Sequence, residues 1–482
     1  MASDLNIIFA VSELAGIVKT GGLADAAGGL APAMIQQGHD VRIIMPGYRE
    51  ALKKLHSRVI ASGEVTINYH YKIGFALRKA YFEGIAIYLI EHHDFFGRDG
   101  LYGMHGEGYD DNSQRFAFFS KAVLEACLLI DVRPDVIHCH DWQTALLPYY
   151  LRIHEGNNLF FQNTATVLTI HNAAYQQHTD PAQMDALGIA WRYFNDACFE
   201  DHQKINLLKG GIAFADKITT VSPNYAEELL TELGGHGLTD SFRRRHSDLS
   251  GILNGCDYRH WDPSIDELIP ELYSKDALQG KHVCKRLLQE RMHLTVDNRC
   301  PVYGVVSRLT DQKGFSFLLP ALQKFLHKNI QVVVLGSGDQ KIATELQWLS
   351  QRYPEKCRFI NGFDNELAHW IEAGSDFFLM PSLFEPCGLN QMYSLKYGAL
   401  PIVRAVGGLL DTVEGYDEAG ENGTGFIFEL PDAHDLVSCL YKTLTIYEQP
   451  KIYKKMQQNA MSQRFTWNAA ADAYCDIYRS IH

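Results

Sequence analysis

The sequence predicts an α/β protein made of two doubly wound domains, and three observations predict it. Short apolar runs alternate with helix-length stretches in a β-α-β rhythm as far as Val221. The rhythm weakens after Asn254-Gly255-Cys256-Asp257 and restarts at Pro301. At 482 residues the chain is too long for one ordinary core and suits two large domains with a shared cleft.

The elements follow in order. Leu5 to Val11 is an apolar run that reads as a strand, followed by a glycine-containing loop through Gly22 and an Ala-rich helix from Ala24 to Gln37 closed by Gly38. Val41 to Met45 is the next strand, stopped by Pro46-Gly47. Further strands are predicted at Asp135 to His140, Thr166 to His171 and Lys217 to Val221, the last followed by a Ser222-Pro223 helix start. Each strand ends in polar residues, at the edge where open α/β sheets bind ligands. The second series comprises Val302 to Val306, Gln331 to Leu335, Arg358 to Ile360, Asp376 to Met380 and Leu400 to Val403. These strands divide the chain into Rossmann-like domains at 1–258 and 259–455, facing each other across a cleft. A helical segment over 456–482 is a candidate for packing back on the first domain, which periodicity alone does not fix.

Composition narrows the function. A formal net charge of -13 argues against a nucleic-acid backbone or an anionic membrane as partner, and leaves a neutral polymer compatible. Hydrophobic residues at 46% and charged residues at 21% are ordinary for a folded soluble protein. No run reaches the roughly 18 to 20 apolar residues of a membrane span. Leu5 to Val11 lacks the basic start and cleavage site of a signal peptide. The ten cysteines are scattered without a C-x-x-C pair, which fits free thiols in a reducing, cytoplasmic setting.

Three loops carry candidate chemistry. Lys19-Thr20-Gly21-Gly22-Leu23-Ala24-Asp25 places two glycines at a helix N-terminus, where free N–H groups favour an anion. A tight turn with a solvated lysine is the plainer reading of that loop taken alone. A nicotinamide-binding loop is opposed by the missing G-x-G-x-x-G spacing and by Met45-Pro46-Gly47 where an acidic residue should grip the ribose. Ser307 to Gly314 puts Arg308 and Lys313 directly after a strand, a forked and a point cation suited to a diphosphate. Either cation alone reads equally well as surface charge. Pro381 to Gln391 sets Glu385 before a helix that starts near Gly388. His138, His140 and Asp141 look like a metal set on paper, and the reading against it is that residues alternating along a strand point to opposite faces. His171-Asn172 closes another strand.

Together these segments resemble the bacterial glycogen synthase and plastid starch synthase family, glycosyltransferase family 5, of the GT-B fold. The resemblance spans nearly the whole chain. It rests on K-T-G-G-L-A-D at Lys19 to Asp25, H-D-W at His140 to Trp142, H-N-x-A-Y-Q at His171 to Gln176, L-N-G-x-D at Leu253 to Asp257, S-R-L-T-x-Q-K-G at Ser307 to Gly314, F-E-P-C-G-L at Phe384 to Leu389 and G-G-L-x-D-T-V at Gly407 to Val413. It implies a retaining transfer of glucose from ADP-glucose to the non-reducing end of an α-1,4-glucan, glycogen or a maltooligosaccharide, with no metal and no cofactor. By the same resemblance His171, Glu385, Arg308 and Lys313 are the catalytic group. Arg308 and Lys313 would neutralise the departing diphosphate, Glu385 would hold sugar hydroxyls, and His171 would sit beside the anomeric carbon. Lys19, Gly21, Gly22, Asn254, Phe363, Cys387, Gly388, Leu389 and Asn390 would line the donor, with Phe363 against the adenine. Asp25, Tyr102, Asp141 and Asn172 would contact the sugar and acceptor.

The residues themselves agree with that chemistry in one respect. A retaining glycosidase needs two carboxylates about 5 Å apart, and no second carboxylate in these motifs pairs with Glu385. Same-face attack assisted by the leaving phosphate is the better expectation. The chain departs from the family pattern at Asn390, where Thr is usual, at Gln177, where Gly is usual, and at Cys256, where Val is common. The competing expectations are a related transferase using UDP-glucose or making a disaccharide, a glucan-binding protein without catalysis, and an NAD-dependent oxidoreductase.

Overall fold

The computed structural model describes residues 4–481, apart from 69–70, 105, 418 and 420–422. The chain forms two compact units, Met1–Gly255 with Trp467–His482, and Cys256–Thr466.

The first unit is built on a nine-stranded sheet. Its strands are β1 (Asn6–Ala10), β2 (Asp40–Pro46), β3 (Arg58–Asn68), β4 (Tyr71–Phe82), β5 (Ile85–Glu91), β6 (Val136–His140), β7 (Ala165–Ile170), β8 (Lys217–Thr220) and β9 (Leu249–Gly251). They lie in the order β9-β8-β7-β6-β1-β2-β5-β4-β3. From β9 to β5 every pairing is parallel, and β4 and β3 continue it as an antiparallel meander. Residues of β1, β6 and β7 are buried along almost their whole length, as a parallel sheet covered on both faces requires. The strand order reverses at β1, so the crevice between β1 and β6 is a topological switch point.

The expected strands at the front of the chain are present within a residue or two. The meander β3–β4 and the strand β5 had no counterpart in the sequence reading. The residues of β3 and β4 mix apolar and polar types, and Val59, Ile60 and Tyr81 are exposed. The meander carries no continuous buried run of the kind that marks the parallel strands, whereas β5 does, with Ile87 to Ile90 buried, and pairs parallel with β2.

The first helix, α1 (Gly22–Gln36), starts at the glycine pair and buries Leu23, Ala24, Ala27, Leu30, Ala31 and Met34. Its other partner is the C-terminal helix, Trp467–Ser480. Gly29 makes room for the Trp467 indole, because a Cβ at that position would lie 2.1 Å from Trp467 Cε2. Gln37 Nε2 donates to Asp472 Oδ1 at 2.7 Å, and the Tyr478 hydroxyl lies 2.7 Å from His138 Nδ1 inside the sheet. The helical segment expected over 456–482 is therefore parts of two helices. Pro450–Ser462 belongs to the second unit, and Trp467–Ser480 belongs to the first.

The second unit carries β10 (Val302–Val306), β11 (Gln331–Gly336), β12 (Cys357–Asn361), β13 (Phe377–Met380), β14 (Leu400–Arg404) and β15 (Phe426–Phe428). The order is β12-β11-β10-β13-β14-β15, all parallel. Alternate residues of one strand feed two separate cores. Val332 and Val334 lie in the cluster on one face, and Val333 and Leu335 in the cluster on the other. The order reverses between β10 and β13, and the helices α2 (Phe315–Phe325) and α3 (Asn390–Tyr397) follow those two strands.

Gly29→Ala tests the fit of the C-terminal helix. Helix propensity favours the alanine by about 1 kcal/mol, but overpacking against a ring costs about 1–3 kcal/mol. With the indole only 2.1 Å away, the clash should win and the urea midpoint of the first unit should fall. An unchanged or raised midpoint would show that Trp467 has room to move.

Candidate functional site

In the second unit, the site lies at the carboxyl ends of β10 and β13, at the switch point. A cavity of about 180 Å³ there is lined by Ser307, Arg308, Lys313, Ser382, Glu385 and Asn390, among others. Glu385 is buried, and its Oε2 accepts from Lys313 Nζ at 2.6 Å and from Ser382 Oγ at 2.9 Å. Arg308 stands on the same lining, exposed, and its guanidinium pairs with no carboxylate among the described residues.

Three loops are stitched together to hold this pair. The Leu383 amide donates to the Gln312 carbonyl at 2.8 Å, and the Gly408 amide donates to the Glu385 carbonyl at 3.1 Å. Arg404 Nε donates to the Ser382 carbonyl at 3.0 Å. Close approach is possible because of glycine. Gly314 has φ +76°, and a Cβ on it would lie 1.9 Å from the Pro381 carbonyl oxygen. Gly407 has φ +44°, and a Cβ on it would lie 2.0 Å from the Glu385 carbonyl oxygen.

The other predicted residues of this half are placed as follows. Cys387, Gly388 and Leu389 form the turn into α3, with Gln391 Nε2 donating to the Cys387 carbonyl at 2.9 Å and the Gly388 carbonyl at 3.0 Å. Asn390 opens α3, and its Nδ2 donates to the Val306 carbonyl at 2.7 Å, tying the helix start to the end of β10. Phe363 follows β12 and is 87% exposed.

In the first unit, Asp141, His171, Tyr102 and the glycine loop gather at the carboxyl ends of β1, β6 and β7. Asp141 takes a left-handed backbone, φ 55°, which turns its carboxylate back to accept the His171 amide at 2.6 Å. Such a conformation in a non-glycine residue costs about 1–3 kcal/mol and persists where the surroundings hold it. Burial pushes the Asp141 carboxyl up to about 7, against the amides of His171 and Asn172, which hold it down. His171 is buried, and burial lowers its imidazole to about 3, so it is neutral near pH 7. Asn172 caps its own turn through Ala174 N–H at 3.0 Å. Asn254 is buried in the segment after β9.

His138 and His140 correct the strand argument. They are two apart on β6, so they share a face, and their ring centroids are 4.2 Å apart. His138 is committed to Thr169 Oγ1 at 2.6 Å and Tyr478 at 2.7 Å. Among the described residues no group of three or more His, Cys, Asp or Glu side chains is placed to hold a metal ion.

Glu13 organises the glycine loop, and no motif in the sequence singles it out. It is buried at 3% exposure. Its carboxylate accepts from the Thr20 amide, from Thr20 Oγ1 at 2.7 Å and from the Gly21 amide at 3.2 Å. The Gly21 N–H expected to face an anion is thus already occupied. Tyr102 donates its hydroxyl to Glu13 Oε1 at 2.7 Å and lies 2.8 Å from Ser12 Oγ. Lys19 is paired with Asp25 at 2.7 Å, with the lysine half exposed. The signal for Glu13 was legible in principle, since a carboxylate directly after a buried strand at a switch point needs local donors.

Two doubly wound units of this topology, the second with a cation-lined crevice at its switch point, define the GT-B class of glycosyltransferases. A sucrose-phosphate synthase from Thermosynechococcus elongatus shares the fold, at a TM-score of 0.60 and 16% identity. Residues 6–244 match the family model described as starch synthase catalytic domain, and residues 289–463 match that of glycosyl transferases group 1. The chain is 48% identical over 479 residues to the glycogen synthase of Aeromonas salmonicida, covering 99% of this chain and 98% of that protein. It is 43% identical over 485 residues to the glycogen synthase of Aliivibrio fischeri, covering 100% and 99%. The catalytic domain of starch synthase IV from Arabidopsis thaliana, solved with ADP and acarbose, superposes at a TM-score of 0.90 with 31% identity over 99% of both chains. The chain belongs to the glycogen synthase and starch synthase family, and it is a glucosyltransferase. No helix among the described residues is long and apolar enough to cross a membrane.

Two outcomes follow from the geometry. Asp141 binds its proton more tightly in the native state, so it lowers stability as pH rises from about 4 to about 7. Asp141→Asn keeps an oxygen for the His171 amide and should gain on the wild-type chain across that window, by up to about 4 kcal/mol. Urea midpoints of both chains at pH 5 and pH 8 measure this, and a constant difference would contradict it. Gly314→Ala should drive the Ser307–Gly314 loop from the Pro381 carbonyl and lower kcat/KM by about tenfold or more, read as ADP release.

Proposed function

We propose that this chain transfers glucose from ADP-glucose to the non-reducing end of an α-1,4-glucan, glycogen or a maltooligosaccharide, with retention of configuration. The observation that carries the reading is the Lys313–Glu385 ion pair of 2.6 Å at the switch point, beside an unpaired Arg308. The second unit, Cys256–Thr466, which contains 259–455, is the donor side, and the first, which holds 1–255 together with Trp467–His482, is the acceptor side.

Arg308 and Lys313 stabilise the leaving diphosphate. A preorganised donor aimed at developing charge is worth about 100-fold to 1000-fold in rate. Glu385 has one oxygen committed to Lys313 and Ser382, which leaves the other to accept a hydroxyl of the transferred glucose. A carboxylate held this way serves as a sugar clamp, and the attacking group is the acceptor hydroxyl on the same face as the leaving phosphate. His171, neutral and buried, sits beside the anomeric centre. Cys387, Gly388 and Leu389 offer the backbone of the turn into α3, where N–H groups favour a phosphate. Asn390 fixes that turn through its bond to Val306 and leaves the phosphate to backbone amides. Phe363 offers an exposed ring to the adenine. Lys19, Gly22 and Asn254 complete the donor contacts, while Asp25, Tyr102, Asp141 and Asn172 shape the acceptor side. Gly21 and Tyr102 act through Glu13.

Fixed cations supply the charge neutralisation that a metal provides in other transferases, so we read the reaction as independent of metal and cofactor. We place the protein in the cytoplasm, a reading supported by ten cysteines that are all free thiols.

The test is ADP release from ADP-glucose with glycogen as acceptor and UDP-glucose in parallel. Lys313→Ala and Glu385→Ala should each lower kcat by about 100-fold or more, and EDTA should leave the wild-type rate unchanged. A faster reaction with UDP-glucose would move the donor assignment to the related transferases. Glucan binding without turnover of either donor would make the chain a binding protein.

A further inference from the structure

His140 ends β6 and touches His171 ring to ring. His140 Nδ1 lies 3.0 Å from His171 Nε2, with centroids 5.3 Å apart and planes inclined by 20°. Burial holds both imidazoles below their usual range, and the neighbouring His138 and His171 rings add to this at His140. Two neutral imidazoles share a hydrogen bond only when one nitrogen bears the proton and the other presents a lone pair. Either His140 donates from Nδ1 and His171 is protonated on its own Nδ1, or His171 donates from Nε2 and His140 is protonated on Nε2.

The far nitrogen of His140 distinguishes the two. His140 Nε2 is buried with no hydrogen-bond partner among the described residues. The rings beside it are His138 and Phe9, with centroids 4.2 Å and 5.5 Å from that of His140. His138 offers it nothing, since both its nitrogens are engaged, by Thr169 and by Tyr478. The second arrangement would bury an N–H with no acceptor. The first leaves only a bare lone pair. Orphaned buried N–H groups are rarer than under-satisfied acceptors.

We propose that His140 donates from Nδ1 to His171 Nε2 and thereby locks His171 in its Nδ1–H tautomer, so that His171 meets the sugar as a hydrogen-bond donor. His171 Nδ1 is the ring's remaining polar atom and has no partner among the described residues. This deepens the reading above and rests on it for the sugar. The tautomer itself rests only on the first unit. His140 is a positioning residue: it touches no reacting atom and acts by deciding which edge of His171 carries the proton. A His171 fixed in this form donates to a sugar oxygen and does not serve as a general base through Nδ1.

The experiment is nitrogen-15 NMR of the full chain with histidine-selective labelling at pH 7, the His171 signals being identified by their loss in His171→Gln. A protonated Nδ1 and a bare Nε2 on His171 are expected. A proton on Nε2, or on both nitrogens, would overturn the proposal, whatever the transfer assay gives. Two variants extend it. Asn places an amide N–H where His Nδ1–H stood, so His140→Asn should keep the His171 tautomer and hold kcat within about threefold. His140→Leu, of similar size, should release the tautomer and lower kcat by about tenfold or more while KM for ADP-glucose moves less. Equal loss in Asn and Leu variants, with both folded by their histidine spectra, would also count against a tautomer lock. Absence of transfer with an Nδ1–H His171 would sink the functional reading and leave the lock intact.

Discussion

Glu385 is 7% exposed and carries a carboxylate at the carboxyl edge of a parallel sheet. A charge in that position must be paired, since removing one partner of a buried ion pair costs about 3–5 kcal/mol. Lys313 and Ser382 supply the pairing. Because Lys313 comes from the loop after β10 and Glu385 from the loop after β13, the pair fastens the two strands where their order reverses. Gly314 and Gly407 are placed where those loops meet backbone to backbone, Arg404 of β14 bonds the loop after β13 at Ser382, and Asn390 of α3 bonds the end of β10 at Val306. The second unit's crevice is what remains after that pairing is satisfied.

The first unit solves the same problem differently. Its switch point also carries buried carboxylates, Glu13 and Asp141, but neither has a cationic partner in the hydrogen bonds it makes. Glu13 is satisfied by Thr20, Gly21 and Tyr102, and Asp141 by the amide of His171. Without a countercharge, burial raises the Asp141 carboxyl to about 7 and keeps the histidines beside it neutral. One unit thus presents fixed positive charge, suited to a diphosphate, and the other presents neutral donors and acceptors, suited to sugar hydroxyls.

The departures from the family pattern take on physical meaning in this setting. Gln177 has φ 58°, a left-handed conformation that explains why glycine is usual there. Its side chain reaches Ser113 Oγ at 3.0 Å, and its carbonyl accepts the Leu207 amide at 3.1 Å, so the strained turn is held by contacts. Asn390 exchanges a short hydroxyl for an amide that bridges to Val306, a distance a threonine side chain would cover less well. Cys256 is buried at the start of the second unit, where valine of similar size would also fit.

Much of the fold was legible from the sequence. The continuous apolar runs Ile7 to Val11, Val302 to Val306 and Val332 to Leu335, short and bounded by turn residues, read as strands buried on both faces, and polar residues directly after them mark the ligand edge. The motif spacings then named the loops and the family. What the sequence could not show depends on through-space partners. The antiparallel pair β3–β4 is stabilised by pairing across strands whose residues are half exposed, which leaves no one-dimensional signature. The hold of Glu13 on the Gly21 amide and the link of His138 to Tyr478 join residues 8 and 340 positions apart in the chain. Local periodicity determines which segments become buried strands, because burial on both faces constrains every residue of the segment. Only the tertiary structure decides which buried donor meets which acceptor, because each polar group taken out of water bonds to whichever neighbour the packing brings within about 3 Å.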